Sequence, residues 1–412
     1  MTVRMEEGDV DGRPVTDAIV DGLATLAPEQ SWRHRGAAMD PMARALELAG
    51  RALGRTAPNP PVGAVIVRDG VIVGEGFHVA AGRPHAEAVA LAQAGARARG
   101  ATLFVTLEPC AHQGRTPPCV DAILAAGVSE VHYALGDPDP RVSGRGGRAL
   151  EGVGIRVVAG ERAPEAAELL RGYLRRVRSG RPWVTAKYAM SLDGKTATRT
   201  GDARWISGEA SRAHAHALRD RADAVIVGIG TVVADDPSLT VRPSPPDGRQ
   251  PRRVVVDSRL RLPREAALAG PALGGGTAVA HVGDGADPEQ RRRAEILGER
   301  GLELLPLPAD GDGRVDLACL LAELAQRDLN EVLVEGGGEL LASLVGAGLV
   351  DEIEVCVAPV LIGGATAPTP IRGPGTDRLM DAPRWAIVDV TSRPPDVWLT
   401  ARPDGATEAD DV

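Results

Sequence analysis

The chain has 412 residues, a formal net charge of −9 at neutral pH, 43% hydrophobic and 25% charged residues, which excludes a disordered or fibrous polymer and exceeds one small core. The acidic balance argues against a general nucleic-acid binder, and the longest apolar run, LLASLVGAGLV at 340–350, is too short to cross a bilayer. Four cysteines, only two of them close together, make no disulfide framework; the expected protein is cytoplasmic, without a nucleic-acid or membrane partner, and its close Cys pair serves metal or thiol chemistry.

Residues 1–37 carry no sustained periodicity and are rich in Asp, Glu and Gly, so a disordered extension is expected there. A first domain is expected over 38–160. PMARALELAGRAL reads as a helix through the spacing of Met42, Ala45, Leu46 and Leu53. Two β-rich runs then flank Asp69-Gly70, a dipeptide suited to the positive φ angles of a hairpin turn. A helix follows over RPHAEAVALAQAGARARG, with Pro84 near its first turn and Gly100 past its end. Strand ATLFVTLE, a Cys-bearing loop, helix CVDAILAAGV and strands EVHYALG and IRVVAG complete an alternating α/β pattern, hence a mainly parallel sheet.

A linker helix is expected over 161–182, and its Arg171, Arg175, Arg176 and Arg178 are taken for a solvated face. The second domain, 183–404, opens with strand WVTAKYAM, helix GEASRAHAHALRDRA and strand DAVIVGIGTV. Strands RRVVVDS and TAVAHV, helix LACLLAELAQR, strand EVLVEGG, helix ELLASLVGAG, strand EIEVCVAPVLIG and a terminal pair, WAIVDV and VWLTA, complete a second α/β unit.

His85, Cys110 and Cys119 form the three-ligand set of a catalytic zinc site, which leaves a fourth position for water. They lie at strand-to-helix turns that can converge on one sheet edge. Helix starts also favour thiolate over thiol. Glu87, two residues past His85, stands beside the metal without ligating it and can carry a proton from water to a leaving amine. H-x-E followed by P-C and a second Cys is the zinc-deaminase pattern, although here eight residues separate the Cys pair, in a loop bearing His112 and Arg115. A closed structural zinc site, with His78 or His112 as fourth ligand, is the alternative.

The segments APNPPVGAVIV, GFHVAAGRPHAEAVAL, LEPCAHQGRTPPC and GDPDPRVSGRG resemble the deaminase half of the bifunctional riboflavin biosynthesis family RibD. The resemblance implies a cytidine-deaminase-like α/β/α fold and hydrolytic deamination of a diaminopyrimidinone bearing a ribosylamino 5′-phosphate, with Asn59, His78, His112 and Arg115 lining the pocket. Asp139 stands where that family often has Asn, which removes an amide donor.

In the second half, EVLVEGGGELLASLV places three glycines between strand and helix, where backbone N–H groups can cradle an anion. AMSLDGKTATRTGDARWIS and VGIGTVVADDPSLTVR resemble the reductase half of the same family, with a dihydrofolate-reductase-like α/β fold. The resemblance implies NADPH, bound by Ala189, Trp205, Thr231, Asp235, Ser258, Gly336, Gly337 and Gly338. Its substrate would be held by Ala203, Arg219, Leu239, Arg242 and Glu335, with Arg219 and Arg242 able to fork onto a phosphate. Ala203 replaces the family's usual Ser, and Trp205 reads equally well as core packing. The implied whole is a homo-oligomeric enzyme on small phosphorylated pyrimidines that deaminates and then reduces a ribosyl to a ribityl group. Alternatives are a diverged relative with one inactive half and a non-catalytic zinc- and nucleotide-binding protein.

Overall fold

The computed structural model describes residues 40–113, 117–270, 276–283 and 287–405. The expectation for residues 1–37 and the site assignment of Arg115 lie outside the described residues.

The first sheet has five strands in the order β2-β1-β3-β4-β5: β1 Gly63–Arg68, β2 Val71–Phe77, β3 Thr102–Leu107, β4 Glu130–Leu135 and β5 Arg156–Ala159. Asp69 and Gly70, at φ 51° and 74°, make the β1–β2 hairpin turn that the dipeptide predicts. β1 runs antiparallel to β2 and β3, whereas β3, β4 and β5 are parallel. Helix α2, Ala86–Ala94, covers one face together with α3, Cys119–Ala126, through Ala86, Ala90, Leu91, Val120 and Ile123. On the other face, α1, Pro41–Gly50, and α5, Ala163–Ser179, bring Met42, Leu46, Leu170 and Leu174 against Val65 and Leu107. Scarcity of aromatics has a structural consequence: small residues let backbones approach closely. A Cβ on Gly76 of β2 would stand 2.5 Å from the carbonyl oxygen of Ala86 in α2.

Nine strands form the second sheet, in the order β10-β9-β8-β7-β11-β6-β12-β14-β13. They are β6 Trp183–Ser191, β7 Ala224–Gly228, β8 Arg252–Val256, β9 Thr277–Val282, β10 Glu303–Leu307, β11 Glu331–Glu335, β12 Glu352–Ala358, β13 Trp385–Arg393 and β14 Asp396–Pro403. The strands from β10 across to β12 are parallel, so their carboxyl ends share one edge; β14 and β13 are antiparallel additions. Helices α9, Leu317–Gln326, and α10, Gly338–Gly346, pack Leu320, Leu324, Leu341 and Leu344 on one face. Helices α6, Glu209–Arg221, α7, Ile229–Asp235, and α8, Pro288–Glu299, contribute Leu218, Val232 and Leu297 to the other.

Several expectations are corrected. The strand predicted over 223–232 stops at Gly228, where the chain turns into α7. Helix α4, Arg145–Glu151, together with α8 and β10, was not foreseen. Pro84 precedes the His85 N-cap of α2 rather than lying in its first turn. Three of the four α5 arginines are not on a solvated face: Arg171 is buried against Glu352, Arg175 pairs with Asp351, and Arg176 bonds Asn330, while Arg178 is exposed.

Candidate functional site

The first site is assembled by three turns on one edge of the five-stranded sheet. His85 caps α2, Cys110 follows β3 and Cys119 opens α3. Their ligating atoms lie within 4.8 Å of one another, with His85 Nδ1 3.2 Å from Cys119 Sγ and 3.7 Å from Cys110 Sγ. The Cys119 main-chain N–H points at Cys110 Sγ, 3.4 Å away. Hydrogen bonding from Cys119, with His85 alongside, holds Cys110 below an ordinary thiol against burial, and Cys119 is pushed up in return. All four described cysteines are free. One imidazole nitrogen and two sulfurs, one of them readily ionised, fit the borderline softness of zinc.

Glu87, in the first turn of α2, is 4% exposed, and burial pushes its carboxyl above the usual range against the pull of His85. Among the described residues no fourth His, Cys or carboxylate joins the cluster. His78 is otherwise engaged: its Nδ1 lies 3.1 Å from the Pro84 carbonyl oxygen and must carry the proton, so Nε2 accepts from Asn59 Nδ2 at 3.0 Å. Burial keeps this imidazole below its ordinary pKa, and its ring meets that of His85 edge-on at 5.3 Å. His112 Nδ1 is buried with no partner among the described residues. Thus Asn59, His78 and Glu87 gather around the cluster, and His112 offers an unused polar atom.

One organising residue escaped the sequence reading. The Glu108 carboxylate, immediately before Pro109-Cys110, accepts from the N–H groups of Gly144, Gly146 and Gly147 at 2.8, 2.9 and 3.2 Å. It thereby ties the β3 turn to α4. Asp139 is buried and gripped by Arg141 through Nε at 3.0 Å and Nη2 at 2.5 Å, so its carboxylate is committed within its own loop.

The second site lies at the carboxyl edge of the parallel strands, where open α/β sheets bind ligands. Ala189 near the end of β6, Thr231 after β7, Ser258 after β8 and Glu335 at the end of β11 come from adjacent strands. Gly336 and Gly337 sit at φ 71° and 80°, and a Cβ on either would come within 3.3 Å of Thr231 Oγ1. Such a cradle fits a dinucleotide phosphate at the start of α10. Gly338 differs, because a Cβ there would meet Arg372 Cγ at 2.7 Å.

Glu335 accepts from Arg219 Nε at 2.5 Å and Nη2 at 2.8 Å, while Arg219 Nη1 donates to the Thr240 carbonyl at 2.9 Å. Burial raises the Glu335 pKa, but Arg219, Lys187 and His216 together outweigh it and hold the group ionised below its usual range. Lys187, paired in register with Glu335 across β6 and β11, is a member of this site that no motif singled out. Arg219 is already committed to Glu335, whereas Arg242 is exposed, its guanidinium bonding Ser238 Oγ at 3.2 Å and its main-chain N–H donating to His216 Nδ1 at 3.2 Å. Trp205 is 73% exposed under the Arg212 guanidinium, which removes the core-packing alternative. The Leu239 side chain is core, so only its backbone, at φ 52°, can face a ligand. Asp235 is exposed, and its carbonyl oxygen takes a bond from Arg204 beside the half-buried Ala203. Lys195 reaches the Ala367 carbonyl oxygen at 3.5 Å.

A three-donor cluster that fits zinc beside a buried carboxylate, in one chain with a glycine turn that fits a dinucleotide phosphate, is the arrangement expected of a deaminase joined to a reductase. Sequence profiles agree: the cytidine and deoxycytidylate deaminase zinc-binding region matches residues 38–135, and the RibD C-terminal domain matches 182–399. Riboflavin biosynthesis protein RibD of Bacillus amyloliquefaciens is 42% identical over 371 residues, covering 90% of this chain and 98% of that one. Its Escherichia coli counterpart is 42% identical over 374 residues, 87% of this chain and 97% of that one. Among solved structures, Acinetobacter baumannii RibD, form 1, superposes with a TM-score of 0.78 at 39% identity, over 88% of this chain and 98% of that one. The chain belongs to the RibD family of riboflavin biosynthesis proteins.

Proposed function

We propose that His85, Cys110, Cys119 and Glu87 carry the deamination and that the edge from Ala189 to Gly338 carries the reduction of this bifunctional riboflavin biosynthesis enzyme. The single observation that bears the most weight is the unligated, buried Glu87 beside a three-donor cluster, since a purely structural site has no use for such a group. The substrate is a 2,5-diamino-6-(5-phosphoribosylamino)pyrimidin-4-one, supported by a solved Thermotoga maritima structure, 34% identical over 88% of this chain with a TM-score of 0.77, whose title names the corresponding deaminase and reductase.

Zinc bound to this set supplies Lewis acidity and lowers the pKa of water. Glu87 takes a proton from the attacking water and delivers it to the amino group on the ring carbon. Ammonia leaves, and the water oxygen becomes the ring carbonyl as its second proton passes to the adjacent ring nitrogen. Asn59, His78 and His112, with Arg115 in the same loop, orient the pyrimidine.

Bound NADPH would supply a hydride to the sugar carbon attached to nitrogen, as the bond from that carbon to the ring oxygen breaks and the freed oxygen takes a proton from water. Thr231 and the Gly336–Gly338 turn hold its phosphates, while Ala189, Trp205, Asp235 and Ser258 line the rest of its path. Ionised Glu335 accepts from the sugar hydroxyls. Arg219 keeps that carboxylate in place, and Arg242, exposed at the site, is the cation for the 5′-phosphate; Ala203 and the Leu239 backbone border the same substrate.

Glu87→Gln is the test. It should retain stoichiometric zinc and full NADPH oxidation on the deaminated pyrimidine, while ammonia release falls by about 10²–10⁴-fold, the range of positioned acid-base groups. Undiminished ammonia release would remove Glu87 from the mechanism.

The protein is further assigned to the cytoplasm, where thiolate ligands stay reduced, and to a homo-oligomer. No described helix is long and apolar enough to cross a membrane. The edge strand β13 exposes Ile387, Val388 and Val390, with Leu379 and Met380 nearby, and a second copy of the chain suits this apolar face. Sedimentation should find a dimer or higher species that Ile387→Lys with Val390→Lys dissociates; a monomeric wild type would refute it.

A further inference from the structure

We infer that Arg176 and Asn330 are positioning residues for the deamination, reaching from outside the deaminase sheet to fix the segment that presents Asn59. The inference rests on the assignment of Asn59 to the deaminase pocket. Arg176, in the last turns of α5, donates through Nη2 to the Pro58 carbonyl at 2.8 Å and through Nε to Asn330 Oδ1 at 2.6 Å. The Asn330 amide then turns its Nδ2 toward the carbonyl oxygens of Pro58 and Asn59, 3.4 Å from each.

Asn330 cannot yield. It is buried, its main-chain N–H donates to Asp223 Oδ2 at 2.8 Å, and its carbonyl accepts from Trp183 at 2.8 Å, so it is bonded at both backbone groups as well as at its amide. It immediately precedes β11, the strand whose other end bears Glu335. On the opposite side, the held segment is a loop whose internal support is the Asn59 N–H bond to the Thr56 carbonyl. From Asn59 the contacts continue inward, to His78 and then to the ring of His85. Two carbonyls in succession are therefore anchored from the second half of the chain, while the side chain between them faces the zinc cluster of the first. Arg55 adds a second tie from the same loop, with Nη2 bonding Asp220 of α6 at 2.8 Å.

A loop anchored in this way controls the direction of the Asn59 amide to within a fraction of an ångström, and misplacement of that order is worth about 10–100-fold in rate. Arg176→Ala and Asn330→Ala should each lower kcat/KM for ammonia release by about that factor, with the loss weighted toward KM because the substrate-facing amide is disturbed and Glu87 is not. NADPH oxidation on the deaminated pyrimidine, measured on the same preparation, should keep its KM and kcat and so report that the chain is folded. Arg176→Lys, which keeps the charge but can make only one of the two contacts, should fall between wild type and alanine. It also supplies the answer if the alanine variant loses both activities.

Asn59→Ala separates this inference from the reading beneath it. If that substitution impairs deamination, Arg176→Ala added to it should cost nothing more. Full additivity, or wild-type deamination in Arg176→Ala and Asn330→Ala beside an impaired Asn59→Ala, overturns the positioning role and leaves Asn59 in place. A silent Asn59→Ala overturns the pocket assignment, and the positioning role falls with it.

Discussion

At the scale of single residues, the proposed chemistry rests on carboxyl groups whose burial is met in different ways. Glu87 has little beyond His85 to favour its charge, while Glu335 is held ionised by Arg219. Asp137 is a third case: it is 7% exposed, accepts from Tyr173 Oη at 2.8 Å and the Asp139 N–H at 2.9 Å, and burial lifts it from 3.8 to about 6 against those bonds. Nearby Asp139 and Glu108 push the same way. Because the folded pKa is the higher one, the folded state binds the extra proton between about pH 4 and 6, and stability falls as pH rises through that window. Asp137→Asn keeps an oxygen for both donors and loses the titration. Thermal unfolding should therefore show the variant gaining on wild type from pH 4 to 6, by on the order of 2–3 kcal/mol, and level above it. A constant difference across that range would mean that Asp137 does not titrate there.

The element scale explains why the His85, Cys110 and Cys119 cluster could be read from the sequence and much of its support could not. His85, Cys110 and Cys119 belong to local strand-to-helix signals, and their convergence follows from the alternation of β3, α3 and the start of α2. Helix α4 gave no such signal, since RGGRALE has neither a long apolar stripe nor a side-chain cap. Its start is instead organised by Glu108, 36 residues away in sequence from Gly144. The same limit applied to Arg219, whose partner Glu335 is remote in sequence, and to Leu239, whose positive φ no spacing announces. The α4 contact has a measurable consequence: a Cβ on Gly146 would lie 1.9 Å from the Pro109 carbonyl oxygen, one residue from Cys110. Neither backbone can absorb that overlap in place, so Gly146→Ala must move the Pro109-Cys110 turn or α4. Zinc content and ammonia release should both fall, with stability reduced by about 1–3 kcal/mol, while NADPH oxidation persists. Full zinc occupancy and deamination would show that the turn tolerates the shift.

At the scale of the whole molecule, α5 decides how the two halves hold together. Its apolar side, Leu170 and Leu174, completes the core beneath the first sheet, while its cationic side meets the second. Gly172 lets it sit close, since a Cβ there would lie 2.4 Å from Glu331 Cγ at the start of β11. Arg171 is the centre of this contact: Nη1 reaches Glu352 of β12 at 2.8 Å and Glu168 at 2.9 Å, Nη2 stands 3.8 Å from Glu331, and the guanidinium lies 5.0 Å over the Trp183 ring. Arg402 of β14 shares Glu352 and Glu168, and Arg221 of α6 shares Glu331. Burial opposes the Arg171 charge, but the three carboxylates outweigh it and raise its pKa. Glu352, 2% exposed, would keep only Arg402 if Arg171 were removed. Breaking one side of a buried pair leaves an uncompensated charge and costs about 3–5 kcal/mol, whereas replacing both sides with apolar residues of similar volume is often neutral. Arg171→Leu should thus lower the urea midpoint for loss of both activities, and Arg171→Leu with Glu352→Leu should recover much of it. If the single variant unfolds at the wild-type midpoint, the buried ion cluster is not what joins the halves, and the remaining ties, Arg175 to Asp351, Arg176 to Asn330 and Arg55 to Asp220, must bear that role.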